Sequence, residues 1–439
     1  MKKIITIFIG LSVLVIFSGC AGEENGGEAE DGDDAITVAV TDGDIGQFNA
    51  WEAKSEEFTE ETGIDVKFTT IPYDNLLDRI TTEGISGDPS FDIVTYVDVM
   101  GPSIKQFLEP LDDYASDDFF DQFPESTVEL STYDDQVYSL PLRANAQVLF
   151  YRKDVFDDLD LDPPETWEEL EESGKKIVDE TDKSAITPYY EAGNNGQNLY
   201  IWTSYLWSKG GDLFDDDMKP IFNEKEGLEA TKDYINLLKE ELAPEGSVSF
   251  AEQESRTHFK QDRSAMWIGW WWVYPDFNSS DSSDDAVKDN VGFTTVPKYE
   301  DGEEVSSLST FPLGMLESSD KKEEAWEFME WLSDSEREKE IVKDSLEETS
   351  PSDQFSIDVA HSDNLEDKEL NELGDDLFTV GGESFENAET LPTFAEWPQV
   401  ADIISDAISD MATGQDVEKE LDEAAEKVEE LLEEEGYYD

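Results

Sequence analysis

The sequence predicts an α/β protein built from two lobes. From Ile36 onward short apolar runs alternate with helical periods, the signature of parallel βαβ units. The roughly 400 residues that follow exceed what one hydrophobic core usually supports, so two lobes are expected. A content of 11 Trp, 15 Tyr and 24 Phe supplies the apolar surface for sizeable cores, against a net charge that would otherwise point to disorder.

The elements follow in order. Ile36-Thr37-Val38-Ala39-Val40 reads as a buried strand. Phe48, Trp51 and Phe58 then recur at helical spacing, with Gly63 as a helix stop. Ile64, Val66 and Phe68 alternate as a second strand, and Leu76, Leu77 and Ile80 predict a helix ended by Gly84 and Gly87. Phe91 to Val97 is a third apolar run. The middle of the chain is more helical. Trp167, Leu170 and Ile177 share a face beginning near Pro164, and Ile201, Tyr205 and Leu206 mark a helix ended by Gly210-Gly211. Ser264 to Ile268 is a short strand stopped at Gly269. Val417, Leu421, Ala425, Val428 and Leu432 form an amphipathic stripe. It is expected to dock on the core, because its flanking face is too acidic for anionic lipid.

In open α/β sheets ligands sit beyond the carboxyl ends of strands. That rule selects Asp42, Gly43 and Asp44 after the first strand, Tyr73 beyond the second, and Tyr96 and Asp98 after the third. A solvated surface is the competing reading for each aspartate, because 109 of 439 residues are acidic. The run Trp270-Trp271-Trp272 places three large aromatics beside a strand end. Aromatic faces suit the apolar ring of a sugar, whereas carboxylates, amides and arginine suit its rim of hydroxyls. At least one of the three is expected in a cleft and the others in cores.

The amino terminus addresses the compartment. Lys2 and Lys3 precede an apolar run of 14 residues from Ile4 to Phe17, too short to span a bilayer comfortably but suited to a secretory signal. Ser18-Gly19 directly before Cys20 resembles the lipobox of bacterial-type lipoproteins, with Phe17 where that motif usually has leucine. The resemblance implies a signal peptide over 1–19, cleavage before Cys20 and a lipid on its sulfur, followed by an acidic tether over 20–35. Cys20 is the only cysteine, so neither an intramolecular disulfide nor a thiolate cluster is possible. His258 and His361 are the only histidines, which argues against a histidine-rich metal site; no cofactor is expected.

The charge is extreme, with 109 acidic residues against 30 basic ones and a formal net of -79. Nucleic acid is excluded as a partner, since phosphate binding needs a basic surface. Acidity spread along the whole chain predicts a surface adapted to high salt, where the Debye length falls to roughly 3 Å at 1 M.

A family resemblance rests on ordered fragments. ITVAV, FTEETGIDVKF, DPSFDIVTYVD, YSLPLRANAQVLFYRKDVF, PPETWEEL, GGDLFDDD, FKQDRSAMWIGWWW, VGFTTVPK, KKEEAWEFMEWLSDSEREKEIV and the closing PTFAEWPQVADIISDAISDMATGQDVEKELDEAAEKV resemble the family 1 extracellular solute-binding proteins of ATP-binding-cassette importers. The maltose-binding proteins are the best-known members. The resemblance implies a periplasmic-binding-protein fold, with crossing hinge strands and a cleft between lobes. On that template 36–141 plus about 298–350 form the first lobe, and 142–297 plus about 351–439 the second. Crossings fall at Leu140-Pro141 to Asn145, near Val296-Pro297 or somewhat later, and around Ser350-Pro351. Pro141 suits such a boundary because it restricts the backbone.

The resemblance also implies site residues. Trp271 best matches a sugar-stacking tryptophan, with Trp270 next; Arg143 and Asn145 face the cleft from the first crossing, although some relatives carry an acidic residue at the position of Asn145. Asn198 and Tyr200 fall on a contact segment, and Trp397 sits close to another cleft aromatic. The implied function is capture of a sugar or oligosaccharide for delivery to permease subunits, by a monomer held on the outer face of the cytoplasmic membrane through its lipid alone. Two alternatives compete. A secreted glycosidase-like enzyme would use paired carboxylates, but with 109 acidic residues such pairs arise by chance, and no nucleophile motif or phosphate loop is present. A sensor or adhesin on the same fold is the other.

Overall fold

The computed structural model describes residues 35–41, 45–116, 118–193, 196–278, 283–347 and 356–438. Its strands, in chain order, are β1 (Ile36–Thr41), β2 (Val66–Ile71), β3 (Ile93–Thr95), β4 (Thr132–Tyr133), β5 (Gln136–Val137), β6 (Ser139–Leu140), β7 (Ala144–Arg152), β8 (Ser184–Ile186), β9 (Ser264–Trp270), β10 (Val291–Thr294), β11 (Ser307–Thr310), β12 (Leu313–Met315) and β13 (Glu389–Thr390). They form two principal sheets, one per lobe. The first has the order β2-β1-β3-β12-β6, and the second runs β13-β11-β7-β9-β8 with β10 also on β7. β4 and β5 make a separate hairpin.

Period-two alternation explains how each sheet is covered. Along β1, Ile36, Val38 and Val40 enter a core with Phe48, Trp51 and Phe58 of the helix Ile45–Thr62 and with Phe328 and Met329 of the helix Lys322–Leu332. Ala39 faces the opposite side, toward Leu76 and Ile80 of the helix Leu76–Ser86. β1 is parallel to β2 and β3, as the βαβ rhythm predicts, whereas β12 returns antiparallel beside β3. In the second sheet β7 is the central strand. Its Ala146, Val148 and Phe150 pack with Trp267 and with Leu377 and Phe378 of the helix Leu377–Glu386. Leu149 lies in the other core, which also holds Trp167, Ile177 and Ile201.

Several boundaries fall where the residues predict them, and several differ for identifiable reasons. Gly63 ends its helix in the left-handed region with φ +83°. Gly87 does the same at φ +67°, but Gly84 lies inside the helix: a Cβ there would stand 2.4 Å from the Phe107 ring, so glycine permits a close packing and does not stop the helix. The helix Trp167–Glu180 begins at Thr166 and not at Pro164, because Thr166 and Glu169 form a reciprocal capping box. β9 continues through Gly269 to Trp270, with the Trp267 ring lying over the glycine. The stripe Val417 to Leu432 is the buried face of the helix Val417–Glu434.

The chain changes sheet between Leu140 and Ala144 and returns between Thr310 and Leu313. The second change falls later than Val296-Pro297: β11, expected within the first lobe's 298–350, pairs with β7 through Ser309 opposite Asn145. The third crossing expected around Ser350-Pro351 lies outside the described residues, as do the signal, Cys20 and most of the tether. Segment 356–361 carries the traffic between cores: Ile357 and Val359 enter the second sheet's core, and Ala360 the first's. No described helix is long and apolar enough to cross a membrane.

Candidate functional site

Both changes of sheet open onto one cavity of about 560 Å³. Its floor is the pair of crossings themselves, through Arg143, Asn145, Ser309 and Phe311. Tyr73, which the strand-end rule marks, reaches it from beyond β2, and Val97, which that rule does not select, from beyond β3. The opposite wall is Trp270 at the end of β9, Trp272 just after it, and Tyr200 in the first turn of the helix Leu199–Ser208. Glu191, Gln197, Glu252, Gln253, Glu254 and Arg256 complete it.

The three tryptophans divide by strand parity. Trp267 enters the core beneath the second sheet, so four residues on Trp271 emerges on that same side. Trp271 is wholly buried against Phe378 and Phe385, with ring centroids 6.3 and 4.9 Å away. It is therefore a core residue, and its expected role as the sugar-stacking tryptophan is corrected. Trp270 points the other way, edge-on to Tyr200 at 4.9 Å and 77°. The 3₁₀ turn Trp271–Val273 swings Trp272 back to the cleft, where the Arg143 and Arg256 guanidiniums lie 5.6 and 4.9 Å from its ring.

Arg143 is almost fully buried. Its guanidinium lies 4.2 Å from the Phe311 ring, and Nε donates to Asp358 Oδ2 at 3.3 Å. Arg256 stands 3.4 Å from Glu252 Oε1 one helical turn away. Each cleft arginine thus has a carboxylate of its own, and Glu191 and Glu254 add further negative charge to the lining. Asn145, only 3 % exposed, has no hydrogen-bond partner for Oδ1 among the described residues. A buried acceptor left unpaired costs about 1–3 kcal/mol, so this amide is poised for a donor from the cavity. Burial drives the Tyr200 phenol well above its usual pKa, with Asp98 adding to it, so the hydroxyl stays neutral.

Of the other sequence candidates, none of those among the described residues lines the cavity. Asp42 and Asp44 lie outside the described residues. Tyr96 is buried, its hydroxyl 2.7 Å from Ser139 Oγ. Asp98 is buried as well and joins the two sheets: it accepts from Thr310 N at 2.6 Å, at the end of β11, and from Val99 N at 2.7 Å. Burial pushes its carboxyl up to about 6, those backbone donors notwithstanding. Asn198 is a clamp, donating from Nδ2 to the Tyr190 and Ser405 carbonyls. Trp397 is fully buried at the start of the helix Trp397–Ala412, 6.0 Å from the Phe394 ring. Tyr96, Asp98, Asn198 and Trp397 are therefore corrected from cleft contacts to framework. Reading from sequence leaves open which of the three tryptophans face the cleft, and it misses Phe311, Ser309 and Arg256, which depend on pairings and packing that no local pattern reveals. Among the described residues no cluster of three or more metal-type side chains occurs.

Comparisons with known proteins agree with this architecture. A Brucella abortus protein named as a binding protein is 27 % identical over 435 residues, covering 97 % of each chain. Maltose-bound MalE3 of T. maritima superposes with a TM-score of 0.79 at 23 % identity, covering 91 % of this chain and 100 % of that one. An ABC transporter solute-binding protein of Agrobacterium vitis with bound D-mannitol gives 0.78 at 22 %, covering 92 % and 100 %. These likenesses are to binding proteins of two lobes. The profile of the bacterial extracellular solute-binding proteins matches residues 42–339, and the chain belongs to that family.

Proposed function

We propose that the protein captures an uncharged sugar or polyol between its lobes and delivers it to the permease of an ABC importer. The observation that carries the choice of solute is the balance of charge in the cleft. Both arginines are matched by carboxylates, Asp358 and Glu252, while Glu191 and Glu254 line the same space. An anionic solute would meet excess negative charge. A neutral polyol meets an aromatic face at Trp270, an unpaired acceptor at Asn145 Oδ1 and arginine donors. The volume of about 560 Å³ accommodates more than one sugar ring. The maltose and D-mannitol held by the two structural neighbours support this class.

The cleft binds without turning over: it offers recognition groups, and its family consists of binding proteins. The protein acts as a monomer tethered to the outer face of the cytoplasmic membrane by lipid on Cys20, a reading supported by Ser18-Gly19-Cys20 behind the apolar run. Calorimetric titration with D-mannitol, maltose and glucuronate in molar NaCl tests the solute. Stoichiometric saturation by a neutral compound, without product, is expected, and Asn145→Ala should weaken it about tenfold. Preference for glucuronate, or turnover of any compound, would overturn the reading. For the anchor, Cys20→Ala should release the protein from membranes; unchanged retention would refute lipidation.

A further inference from the structure

Both described changes of sheet, and segment 356–361, meet on one side chain. Arg143 lies in the first crossing, between β6 and β7. Its carbonyl accepts from Phe311 N of the second crossing at 2.9 Å, and its guanidinium lies 4.2 Å from the Phe311 ring. Its Nε reaches Asp358 Oδ2 at 3.3 Å. Asp358 sits on segment 356–361, whose neighbours Ile357 and Val359 enter one lobe's core while Ala360 enters the other's. Arg143 also lines the solute cavity.

We propose that Asp358 is a positioning residue, and that the Arg143–Asp358 pair transmits solute capture in the cleft to the hinge. A buried ion pair contributes little net stability, because desolvating two charges offsets their attraction; a need for one orientation of the guanidinium accounts for it better here. Asp358 itself does not line the cavity. It fixes the long side chain of Arg143, a residue of the cavity lining, against the Phe311 ring of the second crossing. Relative rotation of the lobes shifts segment 356–361 against the first crossing and so moves the partners of Arg143. A solute hydrogen-bonded to that arginine therefore interacts differently with open and closed lobes, which is what a ligand needs to shift their populations. The inference rests on the reading that solute occupies this cavity.

The test uses Asp358→Asn, which removes the charge at nearly constant volume, with Asp358→Glu as the conservative rescue and the exposed Asp363→Asn as control. Titration with D-mannitol and maltose is paired with small-angle scattering, with and without solute, in molar salt. The wild type and D363N should bind and contract alike. D358N should bind about tenfold or more weakly and contract less at saturation, and D358E should recover much of both. A merely structural role would lower the melting temperature of D358N but leave its Kd and contraction unchanged while it is folded, which would overturn the proposal. Scattering without solute gives an independent arm: D358N should populate a wider range of lobe openings, and an unchanged profile would also refute it. If the wild type answers no sugar, the solute reading fails while this arm still decides the role of the pair. Should D358N not fold, the double variant R143Q/D358N, which strands no lone charge, carries the same solute-free measurement with the same expected and refuting outcomes.

Discussion

Replacing Trp271 and Trp270 separately by alanine should split stability from binding. Trp271 is fully buried, ringed by Phe378, Phe385 and Gly381. Large aromatic-to-alanine changes in such cores cost about 3–5 kcal/mol, from lost transfer energy plus the residual cavity. The folded body spans Ala35–Asp439. At about 2.1 cal/mol/K per residue its unfolding entropy is roughly 0.8 kcal/mol/K, so the melting temperature should fall by about 4–6 °C. Solute affinity of the folded Trp271→Ala protein should stay within about twofold of wild type, since its ring partners Phe378 and Phe385 do not line the cavity. Trp270→Ala should do the reverse. Its ring is half-buried, one edge against Tyr200, so melting should shift by only a degree or two, while loss of the stacking face weakens binding by about 1–2 kcal/mol, five- to thirtyfold. Differential scanning calorimetry and titration of the same samples measure both. Loss of affinity in Trp271→Ala without loss of stability would refute the parity argument.

Further outcomes follow from particular contacts. Gly381→Ala should destabilise by several kcal/mol, read as a lower urea midpoint, because the new Cβ would stand 1.6 Å from the buried Trp271 ring. His361 should make stability fall as pH rises. Burial alone would lower its pKa, but Glu338 Oε2, 2.9 Å from Nδ1, and the Ser333 carbonyl, 2.9 Å from Nε2, outweigh burial and raise it. The contribution is complete below the unfolded value near 6.5 and is lost as pH climbs through the higher folded value. Urea midpoints taken from pH 6 to 9 should fall in the wild type and fall less in His361→Gln. Equal slopes would refute the assignment. His258, the other histidine, is shifted down by burial and Arg263 and acts below 6.5, outside that window. Melting temperature should rise with NaCl between 0.15 and 2 M, as screening weakens repulsion among surface carboxylates; a flat response would argue against salt adaptation.

The parts of the molecule legible in the sequence are those governed by local periodicity. The strand at Ile36, the helix ended by Gly63 and the stripe from Val417 to Leu432 each announce themselves through spacing, and the strand-end rule reaches the cleft at Tyr73. It misleads at Tyr96 and Asp98 because β12 and β11 come back beside those strand ends and bury them. That return joins residues more than 200 positions apart, which no window of sequence contains. Arg143 and Asn145 reach the cavity on the strength of family resemblance, but the partners that orient Arg143 do not follow from it. Asp358 is one aspartate among very many, and only the fold distinguishes it from a solvated one. Trp271 is recoverable: parity from Trp267 already assigns it to the core side of β9.

Two electrostatic regimes coexist in one chain. On the surface, charge is unbalanced and depends on the solvent for relief. The helix Val417–Glu434 alone presents Glu418, Glu426, Glu430 and Glu434 to water, and like charges a turn apart repel unless ions screen them. In the cleft each arginine is matched by contact: Arg143 with Asp358, Arg256 with Glu252, and both guanidiniums against the Trp272 ring. Screening acts weakly on such sheltered pairs. Recognition of a solute by open charge would weaken as ionic strength rises, because screening removes that attraction. Hydroxyls bound by amide, aromatic face and pre-paired arginine escape this dependence. The matched arginines and the surplus carboxylates of the cleft together favour an uncharged solute.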